Sequence, residues 1–334
     1  MTTSILSEKF VVIGSNSFSG ASFTDYLLGQ GAEVIGMSRS PEPHPAFLPY
    51  KKRENAKFKF YQYDLNHHLD EMMEVIRSAE PAYVVNFASQ SMVAQSWEHP
   101  EHWFVTNVVS NVKFHDRLRR CKFLKKYVHV STPEVYGSCQ GLVREDAPLN
   151  PSTPYAVSRA ACDMSLKSFL AAYQFPVVFT RAANVFGPGQ QLYRIVPRTI
   201  LFILLGKKLR LDGGGRSIRS FIHIQDVSDG TLRCALSGKP GDIYHFSTTH
   251  HQSIREVVEA ICQKLGVAFN DVVEIVGDRL GKDAAYTLDS TKAKNDLGWK
   301  PQISFEEGLC ETIDWVKENL DELRKQPMDY IHKK

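Results

Sequence analysis

The segments Tyr155-Ala156-Val157-Ser158-Arg159 and Thr132-Pro133-Glu134-Val135-Tyr136-Gly137 hold the residue types in this chain best suited to moving protons. A tyrosine, with a reference pKa of roughly 10, is a poor base at neutral pH. A fixed positive charge close by favours the phenolate and brings it toward the useful range. On a helix, residues 155 and 159 lie one turn apart on the same face, so Arg159 can supply that charge. Glu134 offers a second proton acceptor and Thr132 a hydroxyl donor. The spacing of the two segments is that expected if neighbouring strand ends deliver both to one pocket. Such a set suits proton transfer to and from a bound ligand.

Near the start, Gly14-Ser15-Asn16-Ser17-Phe18-Ser19-Gly20 directly follows an apolar run and opens an amphipathic stretch. In that context glycine permits a tight turn, and helix N-terminal amides can hold a pyrophosphate. The spacing is G-x-x-G-x-x-G with Ser17 in the middle place, and a plain turn into a helix would use the same residues. Open α/β sheets bind ligands beyond the carboxyl ends of their strands, so the second strand's end should meet an adenosine ribose. There the chain offers Gly36-Met37-Ser38-Arg39-Ser40, with no carboxylate to accept from two ribose hydroxyls. A hydroxyl and a guanidinium suit a ribose 2′-phosphate, because arginine donates two parallel hydrogen bonds. NADP is therefore favoured over NAD, with Ser38 and Arg39 as its readers. Asp64 and Leu65, after the third strand, would lie near the adenine.

Those residues need a scaffold, and the first half of the chain alternates strand and helix. Strands are expected at 10–13, 33–37, 57–63, 82–87, 126–131 and 176–181. Helices are expected at 18–29, 69–78, 103–121 and 155–173, from their apolar spacing. Continuous runs such as Tyr83-Val84-Val85-Asn86-Phe87 suit strands buried on both faces of a parallel sheet. The pattern implies right-handed crossovers and an α/β fold, a Rossmann-type doubly wound parallel sheet. From about residue 184 the pattern turns irregular, with helices at 254–265 and 305–320. We expect residues 1–183 to form the dinucleotide-binding domain. Residues 184–334 should form mainly a smaller, discontinuous substrate lobe, with some segments returning to the first domain.

Composition narrows the class of protein. With 334 residues, 43% apolar content and a formal charge of +3, the chain reads as an ordinary globular protein with no bias toward nucleic acid or membrane. Lys51-Lys52-Arg53 is broken by Glu54 and reads as a solvated loop. The six cysteines form no Cys-x-x-Cys pair, which argues against a zinc site or disulfide framework and suits a reducing cytosol. Glu8 and Lys9 interrupt any signal-peptide core, and the longest apolar run, residues 200–205, is too short to span a bilayer. The expected location is cytoplasmic.

Taken together, the motifs resemble the extended short-chain dehydrogenase/reductase family, and within it the nucleotide-sugar 4,6-dehydratases. Further segments carry the likeness. Asn86-Phe87-Ala88-Ser89-Gln90-Ser91 is similar to the stretch after the fourth strand that borders the nicotinamide. Arg181-Ala182-Ala183-Asn184-Val185-Phe186-Gly187-Pro188-Gly189-Gln190 resembles a substrate-binding Asn-x-Tyr-Gly-Pro segment. The blocks from Arg219 to Val227, Asp278 to Asp283 and Leu297 to Pro301 match later signatures, so the likeness covers nearly the whole length.

The resemblance implies a cycle and roles. A C4 hydroxyl becomes a ketone while hydride passes to NAD(P)+; the acidified C5 proton is removed and the C6 hydroxyl leaves as water. Hydride then returns to C6, giving a 4-keto-6-deoxy sugar nucleotide. Tyr155 and Arg159 serve the oxidation, Thr132 donates to O4, and Glu134 removes the C5 proton. Gly14, Asn16, Ser17, Phe18, Gly20, Ser38, Arg39, Asp64, Leu65, Phe87, Ala88 and Ser89 line the cofactor, together with Tyr155 and Arg159. Ser91, Asn184, Arg219 and Arg279 bind the substrate, the arginines meeting its diphosphate. No metal is expected, and His129, His223 and His245 read as core residues. A homodimer through the helices at 103–121 and 155–173 is implied.

Three residues depart from the family pattern. Arg159 stands where the usual residue is lysine, and its planar fork cannot simply copy an ammonium that also bonds the nicotinamide ribose. Pro133 replaces an aspartate that protonates the leaving hydroxyl in many relatives; GDP-mannose-type enzymes also lack it, and there one glutamate serves as both base and acid. Met92 replaces a histidine. Simple C4 epimerases usually carry small neutral residues here, so Glu134 favours elimination. Two alternatives stay open: an epimerase or dehydratase of different regiochemistry, and a non-catalytic NADP-sensing protein.

Overall fold

The computed structural model describes residues 8–54, 56–139, 141–277 and 287–333. In chain order the elements are β1 (Lys9–Ile13), α1 (Phe18–Gly29), β2 (Glu33–Ser38), β3 (Phe58–Gln62), α2 (Leu69–Ala79), β4 (Tyr83–Asn86), α3 (Pro100–Phe104), α4 (Asn111–Leu118), β5 (Lys126–Val130), β6 (Leu142–Val143), α5 (Pro154–Tyr173), β7 (Val177–Ala182) and β8 (Asn184–Phe186). They continue with α6 (Ile195–Leu204), β9 (Leu209–Asp212), β10 (Ile218–His223), α7 (Ile224–Ser237), β11 (Ile243–Phe246), β12 (His251–Ser253), α8 (Ile254–Leu265), α9 (Phe269–Val272), β13 (Val273–Val276), β14 (Thr287–Leu288), α10 (Thr291–Leu297), α11 (Phe305–Glu318) and α12 (Leu320–Leu323).

Seven strands form one parallel sheet in the order β11-β7-β5-β4-β1-β2-β3. Side-chain alternation splits each strand between two cores. Phe10, Val12, Val34, Val85, Val128 and Val178 pack beneath α1 and α7, while Val11, Ile13, Ile35, Val84, Val177 and Phe179 pack beneath α2, α4 and α5. Burial on both faces explains why these strands read as unbroken apolar runs. The order reverses between β1 and β4, so the crevice at their carboxyl ends is where such a fold takes a ligand.

After residue 184 the chain does not stay in a separate lobe. Strand β11 pairs with β7 at the sheet edge, and α7 packs against α1. What remains is a smaller α/β unit around Phe186, Ile200, Phe221, Ile261, Ile313 and Val316, with its own three-stranded sheet β12-β10-β8.

The helix expected at 103–121 is interrupted. It runs as α3, a π-helical turn over Val105–Ser110, and then α4 ending at Leu118. Side chains working inside the turn account for this: the Asn111 amide donates to the Thr106 carbonyl (2.9 Å), and Asn107 exchanges two bonds with the Gln90 backbone (2.8 and 3.0 Å). Amide side chains entering a helix ladder widen it locally, a feature that gathers at functional sites. Similarly, the helix expected at 305–320 ends at Glu318. Asn319 breaks it before the short α12, its amide donating to the Trp315 carbonyl at 2.8 Å. Among the described residues no helix is long and apolar enough to cross a membrane.

Candidate active site

Two glycines let the first loop close on itself and on β4. A Cβ at Gly20 would lie 2.0 Å from the Gly14 carbonyl oxygen, and one at Gly14 2.9 Å from the Ala88 amide. Gly14 also sits at φ +80, a left-handed conformation that favours glycine. Ser17 caps α1, accepting from the Gly20 amide at 3.2 Å and donating to the Gly14 carbonyl at 2.7 Å. The loop is thus a tight cradle at a helix N-terminus facing Phe87 and Ala88. A dinucleotide pyrophosphate fits it, because the two glycines add no side chains and the helix end offers amides.

Asn16 and Ser38 tie this loop to the exit of β2. The Asn16 amide donates to the carbonyls of Ser40 (2.8 Å) and Pro41 (3.0 Å), and its backbone N–H donates to the Ser38 hydroxyl (3.2 Å). Ser38 is buried and pins the loop to the exit of β2. Arg39 is partly exposed at that exit and donates to the Lys333 carbonyl (3.1 Å). Asp64 accepts from the Asn66 amide (2.8 Å), shaping the turn after β3 with Leu65 buried beside it.

Thr132, Glu134, Tyr155 and Arg159 are set in place by two capped turns. Thr132 caps a 3-10 turn over Pro133–Tyr136 that leaves β5, accepting from the Glu134 amide at 3.3 Å. Pro133 occupies the first position of that turn, where its missing N–H is no loss and its fixed φ is already suitable. Its role here is to set the turn that presents Glu134. Thr153 caps α5 by accepting from the Ala156 amide (3.1 Å), which starts the helix just before Tyr155. Burial pushes the Tyr155 phenol up; Arg159 and a hydrogen bond with Thr132 pull it down, Glu134 pushes it up, and Arg194 lowers it. Thr132, Glu134, Arg159 and Arg194 therefore all act on one hydroxyl.

Arg159 is buried and turned toward the sheet. Its guanidinium donates to the Val130 carbonyl and lies 3.4 Å from His129 Nε2. Behind it sits a charged network. The Asp163 carboxylate accepts from Arg181 (2.7 Å) and Ser131 (2.7 Å), and its other oxygen is 3.5 Å from His129. Arg181 lies over the Tyr136 ring, whose hydroxyl is 2.8 Å from His245 Nε2. Burial, then Arg159 and Arg181, hold His129 well below the usual histidine range, so it meets Arg159 as a neutral imidazole. Asp163 and Arg194 were missed in the sequence. Asp163 had a signal, since 155, 159 and 163 form one helical stripe.

Substrate candidates are less gathered. Asn184 and Arg219 lie on adjacent strands, β8 and β10, with Asn184 paired to Phe221; Ser91 is exposed on the loop after β4. Arg279, with the segment from Asp278 to Asp283, lies outside the described residues. Among the described residues, one histidine–carboxylate group could hold a cation: His99, Glu101 and His102, whose ligand atoms lie within 4.8 Å of one another at the start of α3.

A doubly wound sheet whose switch point faces a tyrosine, a basic residue one turn on and a capped glycine loop defines a nicotinamide-dependent short-chain dehydrogenase/reductase of the extended type. The chain belongs to the GDP-mannose 4,6 dehydratase family, whose model matches residues 11–312. It is 35% identical over 253 residues to a dTDP-glucose 4,6-dehydratase of Streptomyces antibioticus, covering 75% of each chain. The fold is similar to the Streptomyces venezuelae dTDP-glucose 4,6-dehydratase solved with NAD (TM-score 0.87, 29% identity, 94% and 98% of the two chains). It is also similar to the Thermotoga maritima UDP-glucose 4-epimerase solved with UDP-glucose (TM-score 0.84, 26% identity, 93% and 99%).

Proposed function

We infer that this protein is a nucleotide-sugar 4,6-dehydratase, a hydro-lyase that uses a bound nicotinamide cofactor and regenerates it in each cycle. The observation that carries this is the pairing of Glu134 with Tyr155: a carboxylate close enough to raise the phenol's pKa is a second proton acceptor beside the first. The cofactor supplies hydride acceptance from C4 and hydride return to C6. The protein's own work is proton handling. Tyr155 takes the C4 hydroxyl proton, helped by Arg159 and with Thr132 holding the oxygen. Glu134 then takes the C5 proton. With Pro133 offering no acid, Glu134 also returns that proton to the departing C6 hydroxyl, which leaves as water. As hydride reaches C6, C5 regains a proton from solvent by way of Glu134, and Tyr155 releases the C4 hydroxyl proton to solvent, so the net change is loss of one water. The test is incubation with a panel of nucleotide sugars followed by mass spectrometry. Loss of water is expected; an isobaric product would indicate an epimerase, and no turnover of any sugar a sensor.

The cationic contribution to Tyr155 has a readable sign. Arg159 favours the phenolate, so Arg159→Met removes that help and raises the phenol's pKa further. Single-turnover formation of reduced nicotinamide in Arg159→Met should then rise with pH along a limb displaced to higher pH than the parent's. A superimposable pH profile would show that Arg159 acts by packing alone.

Our reading of the cofactor is NADP. The exit of β2 carries Ser38, Arg39 and Ser40 with no carboxylate, whereas the solved Streptomyces venezuelae relative holds NAD. Arg39→Ala should weaken NADPH binding about tenfold, as expected for loss of a charge-assisted pair, with less effect on NADH. Equal losses in a fluorescence titration would exclude Arg39 as the reader of a 2′-phosphate. The substrate's diphosphate is assigned to Arg219 and Arg279, with Asn184 and Ser91 on the sugar; Arg194 joins them as a cation that acts on Tyr155.

A homodimer completes the reading. Phe104, Val105 and Val109 on the α3–α4 stretch, with Val157 and Met164 on the neighbouring α5, are large apolar side chains left exposed. Apolar surface gathered on one pair of packed helices marks an interface. Sedimentation at micromolar concentration should give a dimer, and Val109→Glu with Met164→Glu should give a monomer. A parent protein that sediments only as a monomer would contradict the assignment. The six thiols, none paired with another, fit a reducing compartment such as the cytosol.

A further inference from the structure

We propose that residues 330–333 are part of the cofactor site, forming the outer wall of its adenosine half, with Lys333 as a cofactor-facing cation. The inference rests on the nicotinamide-cofactor reading above and adds to it a segment that no motif marks. The crevice at the switch point is bounded by the loop after β2, which carries Arg39 and Ser40, and by the loop after β4, which carries Gln90. The Lys333 carbonyl accepts from both sides at once, from Arg39 at 3.1 Å and from Gln90 Nε2 at 2.7 Å. Its ammonium donates to the Ser40 hydroxyl at 3.1 Å. One residue thus bridges the two lips of the crevice.

The bridge is anchored at several points. The His332 ring lies parallel to the buried Trp103 indole, with centroids 5.1 Å apart and 6° between planes. Its Nε2 is 2.9 Å from His102 Nδ1, and its Nδ1 is 3.2 Å from the Tyr330 hydroxyl. Tyr330 packs edge-on against Tyr193 at 5.5 Å. Further back, Arg198 on α6 donates to the Met328 carbonyl (3.3 Å) and to the Asp329 carboxylate (3.0 Å). Arg39 and Arg194 both act on the Tyr330 phenol, so the segment runs between the β2 exit and the catalytic tyrosine's surroundings. A strand of chain with no regular structure keeps one path only where such contacts offset its lost freedom.

The charges name the ligand chemistry. Arg39 reaches the Lys333 carbonyl and the Lys333 ammonium reaches Ser40, so both cations lie at the exit of β2; Ser38, Ser40 and Gln90 beside them are neutral. Two cations at a ribose-binding strand end suit a phosphate-bearing adenosine. A wall held across the crevice also slows cofactor loss, which suits an enzyme that returns its hydride in every cycle.

The test compares the full chain with a chain stopped after Pro327, His332→Ala and Lys333→Ala, by fluorescence titration with NADPH and NADH and by the nucleotide retained through purification. Truncation should weaken both dinucleotides about tenfold or more, and His332→Ala should weaken them by a smaller factor. Lys333→Ala keeps the bridging carbonyl and loses the ammonium, so it should weaken NADPH more than NADH. Unchanged or tighter binding in the truncated chain overturns the proposal, the latter showing a plug rather than a wall. Should truncation prevent folding, His332→Ala with a parental melting temperature decides on the same criterion. A parent that binds neither dinucleotide overturns the cofactor reading itself. A parent that binds, with variants that bind equally well, overturns the wall alone.

Discussion

Glu134→Gln should still oxidise C4 while failing to eliminate water. Tyr155, Thr132 and Arg159 act on the first hydroxyl, and none of them depends on the carboxylate. Removing it even eases phenolate formation, because Glu134 raises the Tyr155 pKa. Reduced nicotinamide should therefore accumulate stoichiometrically with the 4-keto sugar, while water loss falls by about 10²–10⁴, the range for a removed general base. Absorbance of the reduced cofactor and exchange of the C5 hydrogen with solvent report the two steps separately. A Glu134→Gln protein that exchanges that hydrogen and releases water at the parental rate would demote Glu134 to a structural carboxylate. The epimerase reading would then move ahead.

Tyr155→Phe should stop the cycle one step earlier. The phenylalanine fills nearly the same buried space and leaves the α5 stripe with Arg159 and Asp163 intact, so folding should be preserved. With no phenol to take the C4 proton, the oxidation rate should fall by about 10²–10⁴. Neither reduced nicotinamide nor C5 exchange should appear within the time in which Glu134→Gln shows the first. The order of the two defects is the discriminating result. Reduced cofactor formed at the parental rate in Tyr155→Phe would move the base to another residue, with Glu134 the carboxylate acting on that position.

Much of the scaffold was legible along the chain because it is local. The run from Phe10 to Ile13, the glycine loop and the helix from Phe18 to Gly29 sit in sequence as they do in space, and α1 spans the expected residues. Helix α8 does so too, since Ser253 and Glu256 form a capping box at its start. Tyr155, Arg159, Thr132 and Glu134 were recognisable because each is carried by a short motif whose spacing is itself the geometry.

What the sequence could not determine depends on residues far apart along it. It supplied Pro133 as an anomaly; only the turn capped by Thr132 shows that proline suits the first position there. It supplied Arg159 as a charge beside Tyr155, while the bond to the Val130 carbonyl and the approach to His129 required strand β5 to lie against α5. The break in the helix expected at 103–121 comes from Asn107 bonding Gln90, seventeen residues away, which helical periodicity does not register. Arg39 looked like a reader of the ribose from its place after β2. That its guanidinium also meets Lys333, 294 residues further on, was decided by the tertiary fold alone. Motif and periodicity specify the chemistry that neighbours along the chain can perform; contacts between distant segments decide which of those groups face one another.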